Sequence, residues 1–173
     1  DIVVGLLDTG ITNHVDLRSN LVGHTAPLSG YDFVSNITSA RDGDGRDNDP
    51  TDQGTLDASN WHGTHVAGII AASSNNKLGI TGVNWQAQLL NARIMGANGG
   101  YTSDLIDAIY WTIGEPVINT PVNTHPAKIL NLSLGGRSIG SSQLQKAIDT
   151  AVNKGVVVVV AAGNSATDVS TQL

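Results

Sequence analysis

Cysteine is absent from this 173-residue chain, which excludes disulfides, thiolate catalysis and zinc–thiolate sites together. It leaves the compartment open, because a protein can be secreted without disulfides. Charged residues are scarce at 14%, and their balance is −6. An electrostatic grip on nucleic acid or an anionic membrane is therefore not expected. No apolar run reaches membrane-spanning length, and Val156 to Ala162 has only the length of a buried strand. The chain does not open with the basic stretch and apolar core of a signal peptide, so any such segment is already removed or was never present. Histidine is missing downstream of His125. That disposes of Gly136-Arg137-Ser138-Ile139-Gly140 as a nucleophile elbow, which needs an acid and then a histidine after the serine.

What is present describes a globular protein. Apolar residues make up 40% of a length that fits one domain, residues 1–173, with a sizeable core. Near-continuous apolar runs at Ile2 to Leu7, Gly30 to Val34, Gln88 to Met95, Lys128 to Leu134 and Gly155 to Ala162 read as strands covered on both faces. Helical patterns separate them: the small-residue segment His62 to Ala72, then Thr102 to Ile113 with Thr102 or Ser103 as its cap, then Ser141 to Lys154 closed by Gly155. This alternation predicts an α/β fold, a doubly wound, mostly parallel sheet flanked by helices. Ser35 to Asn60 is long, polar and acid-rich, and Gly114 to Pro126 reads as a surface excursion.

Asp8 ends the first apolar run, at the edge where open α/β sheets bind and react. Alone, it could simply cap a turn with Thr9-Gly10. His62 opens a helix whose Gly63, Ala67, Gly68, Ala71 and Ala72 permit very close packing. An imidazole held by a carboxylate on one nitrogen can take a proton on the other. His65 shares that helix face, but Gly63 stands where a zinc-peptidase motif has its glutamate, so His65 is expected to pack inside. Asn164 follows the valine-rich strand and either offers an amide to a developing oxyanion or stabilises the turn after Gly163. Asn131-Leu132-Ser133-Leu134-Gly135-Gly136 ends another strand, and its backbone either pairs with an extended peptide or merely leads into a turn.

The loop from Asp42 through Asp44, Arg46, Asp47, Asp49 and Asp52 packs five carboxylates between glycines. Carboxylates this dense repel one another unless a hard cation such as Ca²⁺ sits among them. The spacing is not that of an EF-hand, because Arg46 falls on a ligand position and Gln53 stands where the closing glutamate belongs. A calcium loop of another kind is preferred over a solvated acidic loop.

Together, Asp8-Thr9-Gly10, His62-Gly63-Thr64-His65-Val66-Ala67-Gly68, Ser133-Leu134-Gly135-Gly136 and Ala161-Ala162-Gly163-Asn164 resemble the subtilisin-like serine peptidases, in that family's order and nearly end to end. The resemblance implies a secreted endopeptidase in which Asp8 orients the imidazole, His62 is the general base and Asn164 supplies the oxyanion amide. It implies that Ser133, Leu134 and Gly135 line the peptide cleft, with Gly100 and Tyr101 as the opposite wall. It also implies a structural calcium at Asp16, Ser74, Asn76, Leu78 and Ile80, and an additional one in the Asp42 to Asp52 loop. No serine sits in the family's Gly-Thr-Ser-Met-Ala segment, and Asp1 already lies in the first central strand. The chain thus resembles the front of a catalytic domain lacking both ends. Its expected partners are a peptide or protein substrate, the remaining C-terminal part of the domain and an inhibitory propeptide. The supplied chain alone is expected to be inactive. The competing reading is a catalytically dead module that keeps the cleft and the calcium loops. A phosphate binder is disfavoured, because no glycine-rich phosphate loop follows the first strand.

Overall fold

The computed structural model describes residues 2–24, 29–54, 61–135, 141–166 and 168; the rejected Gly136–Gly140 elbow falls outside them. Five parallel strands form one sheet in the order β2-β3-β1-β4-β5: β1 Val3–Asp8, β2 Gly30–Asp32, β3 Gln88–Arg93, β4 Ile129–Leu132 and β5 Val157–Val160. Among the described residues four α-helices accompany them: α1 Ile37–Ala40, α2 His62–Ala71, α3 Thr102–Thr112 and α4 Ser142–Asn153. Among the described residues no helix is long and apolar enough to cross a membrane.

β1 is central because its run is apolar on both faces. Val4 and Leu6 join the cluster formed with Ala67 and Ala71 of α2, whereas Leu7 joins the cluster formed with Ala108 and Ile109 of α3. Gly5 lets α3 come close: a Cβ there would lie 2.2 Å from Thr112 Cγ2. Side chains alternate along a strand, so Asp8 points with Val4 and Leu6 toward the α2 face. The chain runs outward from β1 in opposite directions, to β3 and β2 on one side and to β4 and β5 on the other. The carboxyl end of β1 is therefore a topological switch point, where such sheets open a crevice.

Several expectations need correction. α1 is a short helix inside the stretch read as irregular, capped by the Asn36 side chain, which accepts from Ser39 N–H at 3.0 Å. α3 begins after Tyr101, with no side-chain cap from Thr102 or Ser103. Ser141 does cap α4, accepting from Leu144 N–H at 3.2 Å. β5 is not covered on both faces: it is an edge strand whose Val157, Val159 and Val160 are 57%, 48% and 58% exposed. The Gly114–Pro126 excursion has no regular element but is stapled to α3, with Trp111 Nε1–H donating to Pro121 O at 2.7 Å.

Strand register aligns Asp32, Arg93 and Asp8 in one row across β2, β3 and β1. Arg93 is only 2% exposed and donates to Asp32 Oδ2 at 2.5 Å, to Asp42 Oδ2 and to Ala40 O. This knot fastens the start of the acidic loop to the sheet. Burial pushes the Asp32 carboxyl up to about 7; the nearby Asp42 adds to the rise, while Val34 N–H and Arg93 oppose it. The folded value lies above the ordinary 3.8, so the native state holds this proton more tightly. The group's contribution to stability is complete below the unfolded pKa and is lost as pH rises through the folded one. Asp32→Asn, which cannot ionise, should flatten that decline between about pH 4 and about pH 7. Urea midpoints of the full-length protein and the variant across this range check it, and parallel curves would rule the linkage out.

Candidate active site

Asp8 and His62 meet at the rim. His62 Nδ1 lies 2.7 Å from Asp8 Oδ1, and the two side chains are 41% and 0% exposed respectively. One end of the relay is thus fully dry and the other is open to solvent. Asp8 Oδ1 also accepts from Thr9 N–H at 2.8 Å, while Oδ2 has no hydrogen-bond partner among the described residues. Burial raises the Asp8 carboxyl, and the hydrogen bonds from His62 and Thr9 pull it back toward ionisation.

This contact depends on how closely the helix approaches the strand. A Cβ on Gly63 would lie 2.2 Å from Gly10 O and 3.2 Å from Asp8 Cβ. Gly10 is itself held at φ +103 against the backbone of Pro50 and Asp52. The two segments are stitched together: Gly63 N–H donates to Thr9 Oγ1 at 2.9 Å, and Thr12 N–H donates to Thr64 Oγ1 at 2.8 Å. Trp61, the residue before α2, is placed at φ +29, a conformation of order 1–3 kcal/mol above the ordinary wells. His65 does not pack inside as expected. It is exposed and lines a surface cleft with His14 and Asp16, because α2 turns its glycine and alanine stripe inward, flanked by Val66 and Ile70.

The other candidate residues along the proposed peptide path fall at the same sheet edge or around it. Ser133, Leu134 and Gly135 follow β4; Ser133 Oγ accepts from Asn131 Nδ2–H at 2.8 Å, and Gly135 borders open space. Asn164 follows β5, exposed and without a hydrogen-bond partner among the described residues, just after Gly163 at φ +82. Gly100 is pressed against Ile94 O, and Tyr101 OH accepts from Asn36 Nδ2–H at 3.1 Å. Ser39 of α1 braces the same segment, since its Oγ accepts from Asn98 N–H at 3.1 Å. These attachments to α1 were missed in the sequence; the Asn36 cap three residues before Ser39 was their only local signal.

The candidate calcium residues behave differently in the two places. Asp16, 3% exposed, is bracketed by the loop expected to share its cation: Oδ1 accepts from Asn76 Nδ2–H at 2.6 Å and Oδ2 from Ile80 N–H at 3.1 Å. The Asn76 amide and then the Ile80 N–H hold its carboxyl below the usual range. Ser74 Oγ is buried there without a partner among the described residues, and a Cβ on Gly79 would strike Asp16 Oδ2. Leu78 N–H donates to Asn76 Oδ1, closing the turn. A glycine-lined cradle around one carboxylate, with an orphaned hydroxyl, fits an oxygen-seeking cation.

The acidic loop is more dispersed. Arg46 pairs with Asp104 and Asp107 at 2.6 Å each, Arg93 takes Asp42, and Asp52 is tied to Thr9. Asp47 and Asp49 accept from backbone N–H groups two residues on. Among the described residues no group of three or more acidic or histidine side chains converges as a metal site, so the expected gathering of these carboxylates is not seen. Burial, then repulsion from Asp44, Asp49 and Asp42, still raises the Asp47 carboxyl.

A parallel α/β sheet thus carries an Asp–His pair at its switch point, an arrangement in which a carboxylate can hold an imidazole for proton transfer. The chain belongs to the Subtilase family, whose profile matches residues 1–172. It is 45% identical to an extracellular protease of Xanthomonas campestris pv. campestris over 99% of this chain and 30% of that protein. Thermitase of Thermoactinomyces vulgaris is 38% identical over 94% of this chain and 47% of its own length. Among solved structures, a protease of Pseudoalteromonas arctica matches with a TM-score of 0.86 at 45% identity, covering 94% of this chain and 50% of that one. Sphericase matches with a TM-score of 0.70 at 31% identity, covering 96% of this chain and 47% of its own. The chain therefore spans between 30% and 50% of the length of these serine-protease relatives.

Gly63 offers a direct check on the close approach. Alanine normally favours a helix over glycine by about 1 kcal/mol. Overpacking against Gly10 should outweigh that at about 1–3 kcal/mol. Gly63→Ala in the full-length protein is expected to lower the urea midpoint, and a midpoint at or above the parent's would show that the helix can retreat.

Proposed function

We propose that the full-length protein is a secreted serine endopeptidase, with this chain carrying the orienting acid and the base. The 2.7 Å contact between His62 Nδ1 and Asp8 Oδ1 carries the reading. Asp8 fixes the ring so that Nε2 faces solvent as an acceptor. His62 takes the proton of a serine hydroxyl, which the C-terminal part of the domain supplies. That oxygen attacks the peptide carbonyl, and the carbonyl oxygen, now negative, receives a hydrogen bond from the Asn164 amide. Collapse breaks the C–N bond, His62 returns the proton to the leaving amine, and water then hydrolyses the acyl-enzyme by the same base. Ser133 to Gly135 and Gly100–Tyr101 form the two walls along the extended substrate, by backbone pairing. The apolar, open β5 is the surface on which the C-terminal part of the domain docks. An inhibitory propeptide fits the same cleft. Secretion is supported by relatives named extracellular proteases.

Calcium belongs to the reading as a stabilising ion. Asp16, Ser74, Asn76, Leu78 and Ile80 would hold one through carboxylate, amide and carbonyl oxygens; an Asn76 amide turned end for end presents its oxygen. In the acidic loop, Asp44, Asp47 and Asp49 carry charge that a second ion would relieve.

His62→Ala in the full-length protein should lower peptide hydrolysis by 10²–10⁴-fold or more, the usual share of a positioned base. Turnover of a chromogenic peptide near the parental rate would refute the base assignment. For calcium, the metal-stripped protein should gain thermal stability when the ion returns, by about 2.7 kcal/mol at a hundredfold excess over the dissociation constant. Asp16→Asn should abolish most of that gain and Asp44→Asn a smaller part. Identical melting curves with and without the ion would end the calcium reading.

A further inference from the structure

Asp52 closes the acidic loop in sequence but is built into the active-site rim in space. It is 8% exposed, and both its oxygens are in use. Oδ1 accepts from Gly54 N–H at 2.7 Å and Oδ2 accepts from the Thr9 hydroxyl at 2.6 Å. In the second bond the Thr9 hydroxyl donates its one proton to Asp52 Oδ2, while the same oxygen accepts from Gly63 N–H.

Thr9 thereby touches both halves of the relay. Its N–H donates to Asp8 Oδ1, the oxygen that faces His62 Nδ1. Its hydroxyl holds the N–H of Gly63, the residue next to His62. That N–H is one of the donors a helix start leaves unsatisfied, and Trp61 provides no side-chain cap for it. Thr9 caps α2 from across the fold, and Asp52 sets the rotation of the capping hydroxyl. A carboxylate near a helix N-terminus is also favoured by the helix dipole.

We infer that Asp52 is a positioning residue for His62, acting through Thr9 to hold the first turn of α2, and with it the imidazole, on Asp8. This rests on the reading of Asp8 and His62 as orienting acid and base. It assigns Asp52 to the geometry of the relay and removes it from the calcium loop.

The test uses the full-length protein with Asp52→Ala, Thr9→Val, the double variant, Thr9→Ser and His62→Ala. Folding is checked by near-ultraviolet dichroism, and kcat and KM are measured separately on a chromogenic peptide. A small displacement of a catalytic group costs on the order of 10²-fold. Asp52→Ala and Thr9→Val are each expected to lower kcat on that scale with KM nearly unchanged. The double variant should be no worse than Thr9→Val, since the two act in series. Thr9→Ser, which keeps the hydroxyl, should retain the parental kcat. The deshielded Nδ1 proton of His62 should persist in Thr9→Ser and broaden in Asp52→Ala. A folded Asp52→Ala with parental kcat, losses that multiply in the double variant, or a deficit repaired by excess calcium would each overturn the proposal. Where Asp52→Ala does not fold, the Thr9 pair decides: Val impaired and Ser intact supports it, and equal effects refute it. An active His62→Ala would instead sink the general-base reading, while an inactive one beside an unaffected Asp52→Ala sinks this proposal alone.

Discussion

The backbone contact between the start of α2 and the turn after β1 governs the site. It brings two chain segments 54 residues apart close enough for a direct side-chain hydrogen bond, and it needs Gly63 to lack a Cβ, which would lie 2.2 Å from Gly10 O. The electrostatics follow from it. A carboxylate as deeply buried as Asp8 would be driven toward protonation by the loss of water. The His62 ring and the Thr9 N–H oppose that drive, so the buried carboxylate depends on the ring it touches. Moving the helix outward would weaken both members together, because each supplies what the other's environment lacks.

Around this contact the fold applies the same solution repeatedly: a buried charge is tolerated where a fixed partner meets it. Arg93 sits in the row between Asp8 and Asp32 with almost no exposure and is met by two carboxylates and a carbonyl. Arg46 ties the acidic loop to Asp104 and Asp107 of α3, and Asp104 in turn accepts from Ser35. Removing one partner from such a group leaves an uncompensated charge, costing about 3–5 kcal/mol, although the intact pair adds little net stability. The loop is therefore better understood as bracing than as bulk acidity. It fastens β3, α1 and α3 around the Gly100–Tyr101 segment.

How much of this could be read in the sequence depends on how local each signal is. The strands were legible because a parallel sheet writes near-continuous apolar runs, and α2 because glycine and alanine recur along one stripe. Asp8 and His62 stood out through their settings, at a strand end and a helix start. His65 misled because helical spacing says which residues share a face but not which face turns inward. α1 was hidden because a single turn has no period to detect, and its cap at Asn36 is a signal found in any turn. The five loop carboxylates looked alike in composition, yet one meets Arg93, one meets Thr9 and two close backbone turns. Only tertiary contacts sort them.

β5 shows the converse case, in which the sequence states a requirement that the described residues do not fill. Val157 to Val160 is as apolar as a strand buried on both faces, but α4 covers only one side, and the strand lies at the sheet edge. An exposed, flat, all-valine edge is a surface that other backbone will pair with or cover. Asn164 lies just beyond it, its amide without a partner among the described residues, and Ser133 to Gly135 leave β4 beside it. The Asp8–His62 pair closes with contacts between residues 8 and 64, whereas Ser133 to Gly135 and Asn164 border the open β5 side and Gly100 and Tyr101 follow β3 on the other. The Asp8–His62 pair is thus set by the interior of this chain, whereas the β5 side carries apolar surface that these residues leave exposed.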